Sequence, residues 1–377
     1  MPTLRGRVLV LGNLPPPVHG SAVVTANMVE WLRSSGVSVS VVNSSANSHG
    51  IGSIASTFGA GRYLLARLWS HLICCVRLLR RPNVLYIGGA GGAGLYFQLL
   101  PVLVARLLLV PVVFHHHSSA YLTAHSRPMA WMCRLTIGES THVALSHSMA
   151  EQLHTRYAGP RVISLSNAIF VPDAGPAPIR GGTAPVRIGH VSNLSLDKGM
   201  QEVVSTATEL GAAGEAFELH IAGAAQDERT QARVDRLLEP WRSDSRVFVH
   251  GALYGAELER FYDHLDLLLF PSQYRNEAAP LVVLEAASRG VPTLAYPIGS
   301  LAELVFAVEL LAPVGHFVER ATDLVGRWRD VGPELSRVTL DGYQRSREAA
   351  AEQRERLWVA YLGRDSNDSG GDHPCAL

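Results

Sequence analysis

Lysine is all but missing from this chain: of 33 basic residues only Lys198 is a lysine, and the others are arginine. An ammonium is compact and mobile where a guanidinium is a planar fork, so the exception marks a position to watch. Acid is scarce in one half only. Through residue 172 there are thirteen arginines against Glu30, Glu139 and Glu151, a surplus of ten positive charges; the formal total is zero, so the remainder is acidic by the same amount. Two bodies with different partners are implied. Cys74, Cys75, Cys133 and Cys375 show no paired spacing, which excludes a disulfide framework and points to reduced thiols and a cytoplasmic setting. Met1 leads into an ordinary strand with no secretory signal. One long apolar run exists, Leu95 to Phe114, but Arg106 lies inside it and Pro111 directly precedes Val-Val-Phe. That pattern predicts a helix, a turn and a buried strand in place of a membrane span.

What is present fits a folded protein: 377 residues, 47% apolar and 18% charged, enough for one large core or two ordinary ones. Strand and helix patterns alternate from Arg7 onward and again from Val186, which predicts two parallel sheets wrapped by helices. The expected organisation is a first domain over 1–172 and a Pro/Gly-rich linker over 173–185. A second domain follows over 186–341, then a helix over 342–362 crossing back to the first domain and a disordered tail over 363–377. Further expectations are Ser21 as the cap of the first helix, a mobile Ser/Gly-rich loop from Asn43 to Gly59 and an all-positive helix over 62–81. The Gly-rich run 88–94 carries no nucleotide-binding spacing and reads as a turn at a strand's end.

The most informative stretch runs from Phe270 to Pro292. An apolar strand leads into a polar loop carrying Glu277; Pro280 opens a short helix carrying Glu285, and Gly290 stops it. The amides of Leu281 and Val282 would face back towards the loop, an arrangement that attracts phosphate or sugar hydroxyls. Glu-x7-Glu within Pro-Ser…Asn-Glu-Ala-Ala-Pro-Leu-Val-Val-Leu-Glu-Ala resembles the donor-site signature of family-4 glycosyltransferases of the GT-B fold, with Ala278 and Ala279 where Gly-Phe is usual. Ser192 to Gly199 resembles that family's Gly-Arg-Leu…Lys-Gly element, with Asn193 in place of the arginine. His220 to Gly223, Val249-His250-Gly251 and Pro297 to Ser300 with Glu303 resemble further elements in the same order.

The resemblance implies an α/β fold of two Rossmann-like doubly wound parallel-sheet domains facing across a cleft, and retaining sugar transfer from a nucleotide-diphosphate donor. Glu285 would take the ribose hydroxyls and Glu277 those of the sugar. Lys198, the Gly20 backbone and the amides of Leu281 and Val282 would stabilise the departing diphosphate, with Asn193 and Gly251 lining the donor site. A strand-end histidine facing the sugar is placed at His117, with His115 second because it shares that face. No metal or other cofactor is expected: three adjacent histidines in a strand cannot all face one ion, and no Asp-x-Asp occurs.

The acceptor falls to the basic first body and is expected to be lipid-linked or a glycan. Helix 62–81 would rest on an anionic membrane surface, giving peripheral attachment at the inner face of the plasma membrane. Nothing resembles a nucleic-acid recognition element. A sugar-nucleotide 2-epimerase and a catalytically silent binding member remain as alternatives.

Overall fold

The computed structural model describes residues 4–16, 18–45, 57–157, 160–172, 174–175, 177–181 and 184–363. Most of the expected mobile loop, and the tail after Gly363, lie outside them. The chain divides into two units, one running through Leu165 and resumed from Ala349, the other Ser166–Glu348.

The first unit is a six-stranded parallel sheet of β1 (Arg7–Gly12), β2 (Ser38–Asn43), β3 (Val84–Gly88), β4 (Val112–His115), β5 (Thr141–Ala144) and β6 (Arg161–Ser164), in the order β2-β1-β3-β4-β5-β6. Its helices are α1 (Gly20–Ser34), α2 (Thr57–Leu78), α3 (Gly94–Leu107), α4 (Ala120–Thr123), α5 (Arg127–Leu135) and α6 (His147–Tyr157). The second unit has five parallel strands, β7 (Val186–Val191), β8 (Phe217–Ala222), β9 (Val247–Gly251), β10 (Leu267–Phe270) and β11 (Thr293–Ala295), in the order β11-β10-β7-β8-β9. Around it run α7 (Met200–Ala212), α8 (Glu228–Leu238), α9 (Ala256–His264), α10 (Leu281–Ser288), α11 (Leu301–Leu304), α12 (Phe317–Gly326) and α13 (Trp328–Leu362).

Central strands are covered on both faces: β4, β5 and β10 are buried throughout and β3 all but its last residue, whereas the edge strands β2 and β9 are largely not. Each order reverses direction once, between β1 and β3 and between β7 and β10. Ligands of open α/β sheets bind beyond the carboxyl ends of the strands at such a reversal.

Four sequence expectations shift. The unit boundary falls at Leu165, ahead of 172, and the segment read as a linker belongs to the second unit by its contacts. Arg180 shows why: its guanidinium donates to the carbonyls of Asp263 at 2.5 Å and Arg289 at 3.0 Å, and its amide donates to Ser336 Oγ. The terminal helix begins at Trp328, not 342, and runs through Pro333, which lies inside it and removes one backbone hydrogen bond. The unit division passes through this helix between Glu348 and Ala349. Beyond that point Trp358 is fully buried, and Tyr361 Oη donates to the Glu139 carbonyl at 2.5 Å. Finally, His19 and not Ser21 caps α1, its Nδ1 accepting from Ala22 N at 3.3 Å. Leu95 to Phe114 is α3, a turn and β4, and among the described residues no helix is long and apolar enough to cross a membrane.

The first unit's core holds a chain of buried hydrogen-bonded side chains running from Thr136 to Tyr121. Thr136 Oγ1 donates to the carbonyls of Met132 and Cys133, so it accepts from His142 Nε2 at 2.7 Å. His142 Nδ1 then accepts from His116 Nε2 at 2.8 Å, and His116 Nδ1 accepts from Tyr121 Oη at 2.7 Å. Every ring is neutral in this arrangement. Burial holds His142 down at about 4 and His116 well below the usual histidine range, neighbouring histidines adding to the effect on His116. The unfolded chain takes up protons first, so this stability is complete above pH 6.5 and drains away as pH falls towards 4. Urea midpoints measured from pH 8 downward should hold to about pH 6.5 and then decline steeply. A flat profile to pH 5 would contradict the neutral network.

Candidate functional site

In the second unit the reversal point lies between β7 and β10, adjacent parallel strands with Leu267 opposite Ile188. The loop after β7 carries Lys198, and the loop after β10 carries Glu277. Ser195 caps a short turn over Leu196–Lys198, its Oγ accepting from Lys198 N at 3.2 Å. Gly199 follows in the left-handed conformation, φ 85, against Pro271: a Cβ there would lie 2.4 Å from the Pro271 carbonyl oxygen. Gln273 N donates to the Asp197 carbonyl at 2.8 Å and completes the seam. The two loops are thus tied backbone to backbone.

That seam brings the solitary lysine onto the loop acid. Lys198 Nζ lies 2.5 Å from Glu277 Oε2, and Ser272 Oγ donates to the same oxygen at 2.8 Å. Glu277 is 8% exposed and Ser272 fully buried. The ammonium also stands over the Tyr274 ring at 4.8 Å and the Phe270 ring at 5.7 Å. Behind it His190 bonds the Leu269 carbonyl and Ser192 Oγ; burial, with Lys198 beside it, holds its imidazole down at about 4 and therefore neutral.

Two more loops fix Glu277. Gly299, φ 56, sits where a Cβ would come 2.5 Å from the Glu277 carbonyl, and Ser300 N donates to the Ala278 carbonyl. Asn167 Nδ2 donates to the Ala279 carbonyl at 3.1 Å. Both alanines are buried.

Leu281 and Val282 form the first turn of α10, half-buried; Pro280 precedes them in an extended conformation, and no side chain caps the helix. Its N-terminal amides are therefore left for an outside acceptor. The helix buries Val283, Leu284, Ala286 and Ala287. Glu285, on the second turn of α10, accepts a hydrogen bond on Oε2 from the Tyr262 hydroxyl at 2.8 Å. Burial raises its carboxyl, and the Tyr262 bond and Arg289 pull partly the other way. Asn193 is exposed in the loop after β7. Gly251 ends β9 with φ 72, its carbonyl accepting from Gly223 N at 2.7 Å. Sequence reasoning missed Ser272, His190 and Tyr274; the Pro-Ser pair opening the loop was the one available signal.

In the first unit, His117 lines a cavity of about 170 Å³ with Asn13, Ser21, Thr25, Arg67 and the glycine run Gly88–Gly91. Its Nε2 is buried with no hydrogen-bond partner among the described residues. Burial, then the charge of His19, takes its imidazole down to about 3. His115 does share its side, the two ring centres 4.6 Å apart, but is fully buried with Nδ1 on Tyr86 Oη at 2.7 Å. Gly20 opens α1 beside this cavity, directly before Ser21. His116 turns to the other side, so the three adjacent histidines do not converge. Among the described residues, Glu218, His220 and His264 form the one group whose ligand atoms lie close enough to hold a metal, within 4.8 Å of one another. They sit on β8 and at the end of α9, and share no contact with Lys198.

Residues 185–327 match a glycosyltransferase family model, described as glycosyl transferases group 1. The matched segment lies within the second unit and contains both Lys198 and Glu277. No curated protein matches the sequence. Solved structures match the fold over almost the whole chain. Anabaena Alr3699/HepE, solved with UDP-glucose, superposes with a TM-score of 0.64 at 13% identity, over 93% of this chain and 100% of that one. Sucrose-phosphate synthase from Thermosynechococcus elongatus gives 0.66 at 15% identity, over 93% and 98%. The lipopolysaccharide outer core galactosyltransferase WaaB gives 0.62 at 14%, over 92% and 99%. The two parallel sheets with flanking helices are those of GT-B glycosyltransferases.

Proposed function

We propose that this chain is a retaining, metal-independent glycosyltransferase of the Glu-x7-Glu type, moving a sugar from a nucleotide-diphosphate donor to a lipid-linked or glycan acceptor in cell-envelope synthesis. The observation that carries the reading is the lone ammonium on a buried carboxylate at the β7–β10 reversal, beside an uncapped helix N-terminus. The diphosphate takes the ammonium and the amides of Leu281 and Val282. Glu277, released from full pairing, accepts hydroxyls of the sugar. Glu285, with Tyr262 on one oxygen, accepts ribose hydroxyls, and Asn193 and Gly251 border the donor. As the bond from the anomeric carbon to the diphosphate breaks, negative charge grows where Lys198 and the amides stand. No protein nucleophile enters, and the acceptor attacks on the face the diphosphate leaves. His117 is assigned to the transferred sugar and Gly20 to the diphosphate. UDP-glucose in the Anabaena protein favours uridine as the base. The arginine-rich first unit takes the acceptor, and residues 62–81 give peripheral attachment to an anionic membrane.

The test is incubation with a panel of UDP-sugars, with and without EDTA, followed by separation of products. Free UDP with hydrolysed or transferred sugar is expected, at a rate EDTA leaves unchanged. Epimerised donor would replace this reading with an isomerase, and binding without turnover with a silent member. A second expectation concerns Glu285→Gln: the UDP-induced rise in melting temperature should shrink severalfold, since stabilisation tracks affinity.

A further inference from the structure

The right-handed crossovers from β2 to β3, β4 and β5 all step the same way across the first sheet, so their helices share one face. There α2 packs on α3 and α3 on α5. The outer surface of this layer is apolar. On α2, Leu65, Trp69 and Val76 form an exposed stripe at helical spacing, with Trp69 66% exposed, and Leu79 follows just past the helix end. On α3 the stripe is Tyr96, Leu103 and Leu107; on α5 it is Trp131. Large apolar side chains scattered singly are ordinary, but aligned across three neighbouring helices they mark a contact surface.

Leu109 sharpens the point. It follows α3 in the left-handed region, φ 57, and is 89% exposed. Glycine would serve the turn without strain, so the leucine is not there for the fold.

Charge selects the occupant. No aspartate or glutamate occurs between Trp31 and Gly138. Exposed Arg80 and Arg81 follow α2, exposed Arg106 ends α3, and exposed Arg134 lies over the Trp131 ring at 5.7 Å. A second copy docked face to face would set arginine against arginine. An anionic bilayer meets both properties: arginine binds lipid phosphate while aromatic and leucine side chains enter the headgroup region.

We propose that α2, α3 and α5 together form a docking face for an anionic lipid bilayer, with Trp69, Leu107, Leu109 and Trp131 entering it. This extends the membrane contact from one helix to three and rests on the transferase reading only for its purpose. The experiment is co-sedimentation of the full chain with vesicles of phosphatidylcholine alone or mixed equally with phosphatidylglycerol, at low and high salt. Binding to the anionic vesicles is expected, reduced by salt and weak on phosphatidylcholine. Arg80→Gln with Arg81→Gln should weaken it by roughly fivefold for each arginine. Leu107→Ser with Leu109→Gly should weaken it by roughly tenfold or more. That second pair changes only exposed side chains, so an unshifted melting temperature shows that the fold persists. No pelleting with anionic vesicles, unchanged pelleting of both variants, or a dimer that the leucine variant dissolves would each overturn the proposal. Pelleting needs no donor: a chain that binds vesicles but ignores every nucleotide sugar loses the transferase reading and keeps this surface.

Discussion

Lys198→Ala is expected to slow donor cleavage by roughly a hundred- to a thousandfold, the usual consequence of removing one preorganised partner of a leaving group's charge. The same change leaves Glu277, 8% exposed, without its ammonium. Breaking a fully buried pair costs about 3–5 kcal/mol. Lys198 keeps 18% of its side chain in water, so the loss here should be smaller, about 1–3 kcal/mol. Two controls separate chemistry from fold. Lys198→Arg keeps the charge but places a planar fork between the Tyr274 and Phe270 rings, and should not restore the rate. Lys198→Met combined with Glu277→Gln removes both charges and should recover most of the stability without the turnover. Steady-state release of UDP and urea midpoints on the same preparations check both halves. Near-normal turnover by Lys198→Ala would end the role assigned to it.

Gly199→Ala should damage the protein comparably from a position that touches no substrate. Its Cβ would stand 2.4 Å from the Pro271 carbonyl oxygen and 2.8 Å from the Pro271 carbonyl carbon. Both are backbone atoms at the start of the loop bearing Glu277, so no side-chain rotation relieves the clash. A left-handed φ of 85 adds strain of its own. Together these should cost about 2–5 kcal/mol. The expected signature is a lowered urea midpoint with a fall in turnover that saturating donor does not repair, because Lys198 no longer meets Glu277. Gly214→Ala is the matched control: it also has a positive φ, 72, but nothing within 4 Å, so it should lose stability through strain alone and keep its turnover.

Much of this was legible in the sequence because it rests on local pattern. Continuous apolar runs between turn residues located the strands, and Pro280 with Gly290 bracketed α10 correctly. The pairing of Lys198 with Glu277 was legible only as a coincidence of two unusual positions. What joins them is a backbone approach between Gly199 and Pro271, and nothing in either segment alone reveals it. The buried supports were hidden for the same reason. Ser272 and His190 are ordinary residues in sequence, and their value comes from adjacent strands closing over them. The boundary at Leu165 was misplaced because Pro and Gly content mimics a linker, whereas Arg180 ties that segment down through backbone carbonyls. The start of α13 was missed because Pro333 reads as a stop, whereas the helix runs through it.

The most direct measurement is calorimetric titration of UDP and of UMP into the intact chain and into Lys198→Ala. If the lone ammonium holds the diphosphate, UDP binds the intact chain well and Lys198→Ala at least roughly tenfold more weakly, while UMP, lacking the second phosphate, binds both alike. Equal affinity of the two proteins for UDP would contradict the account.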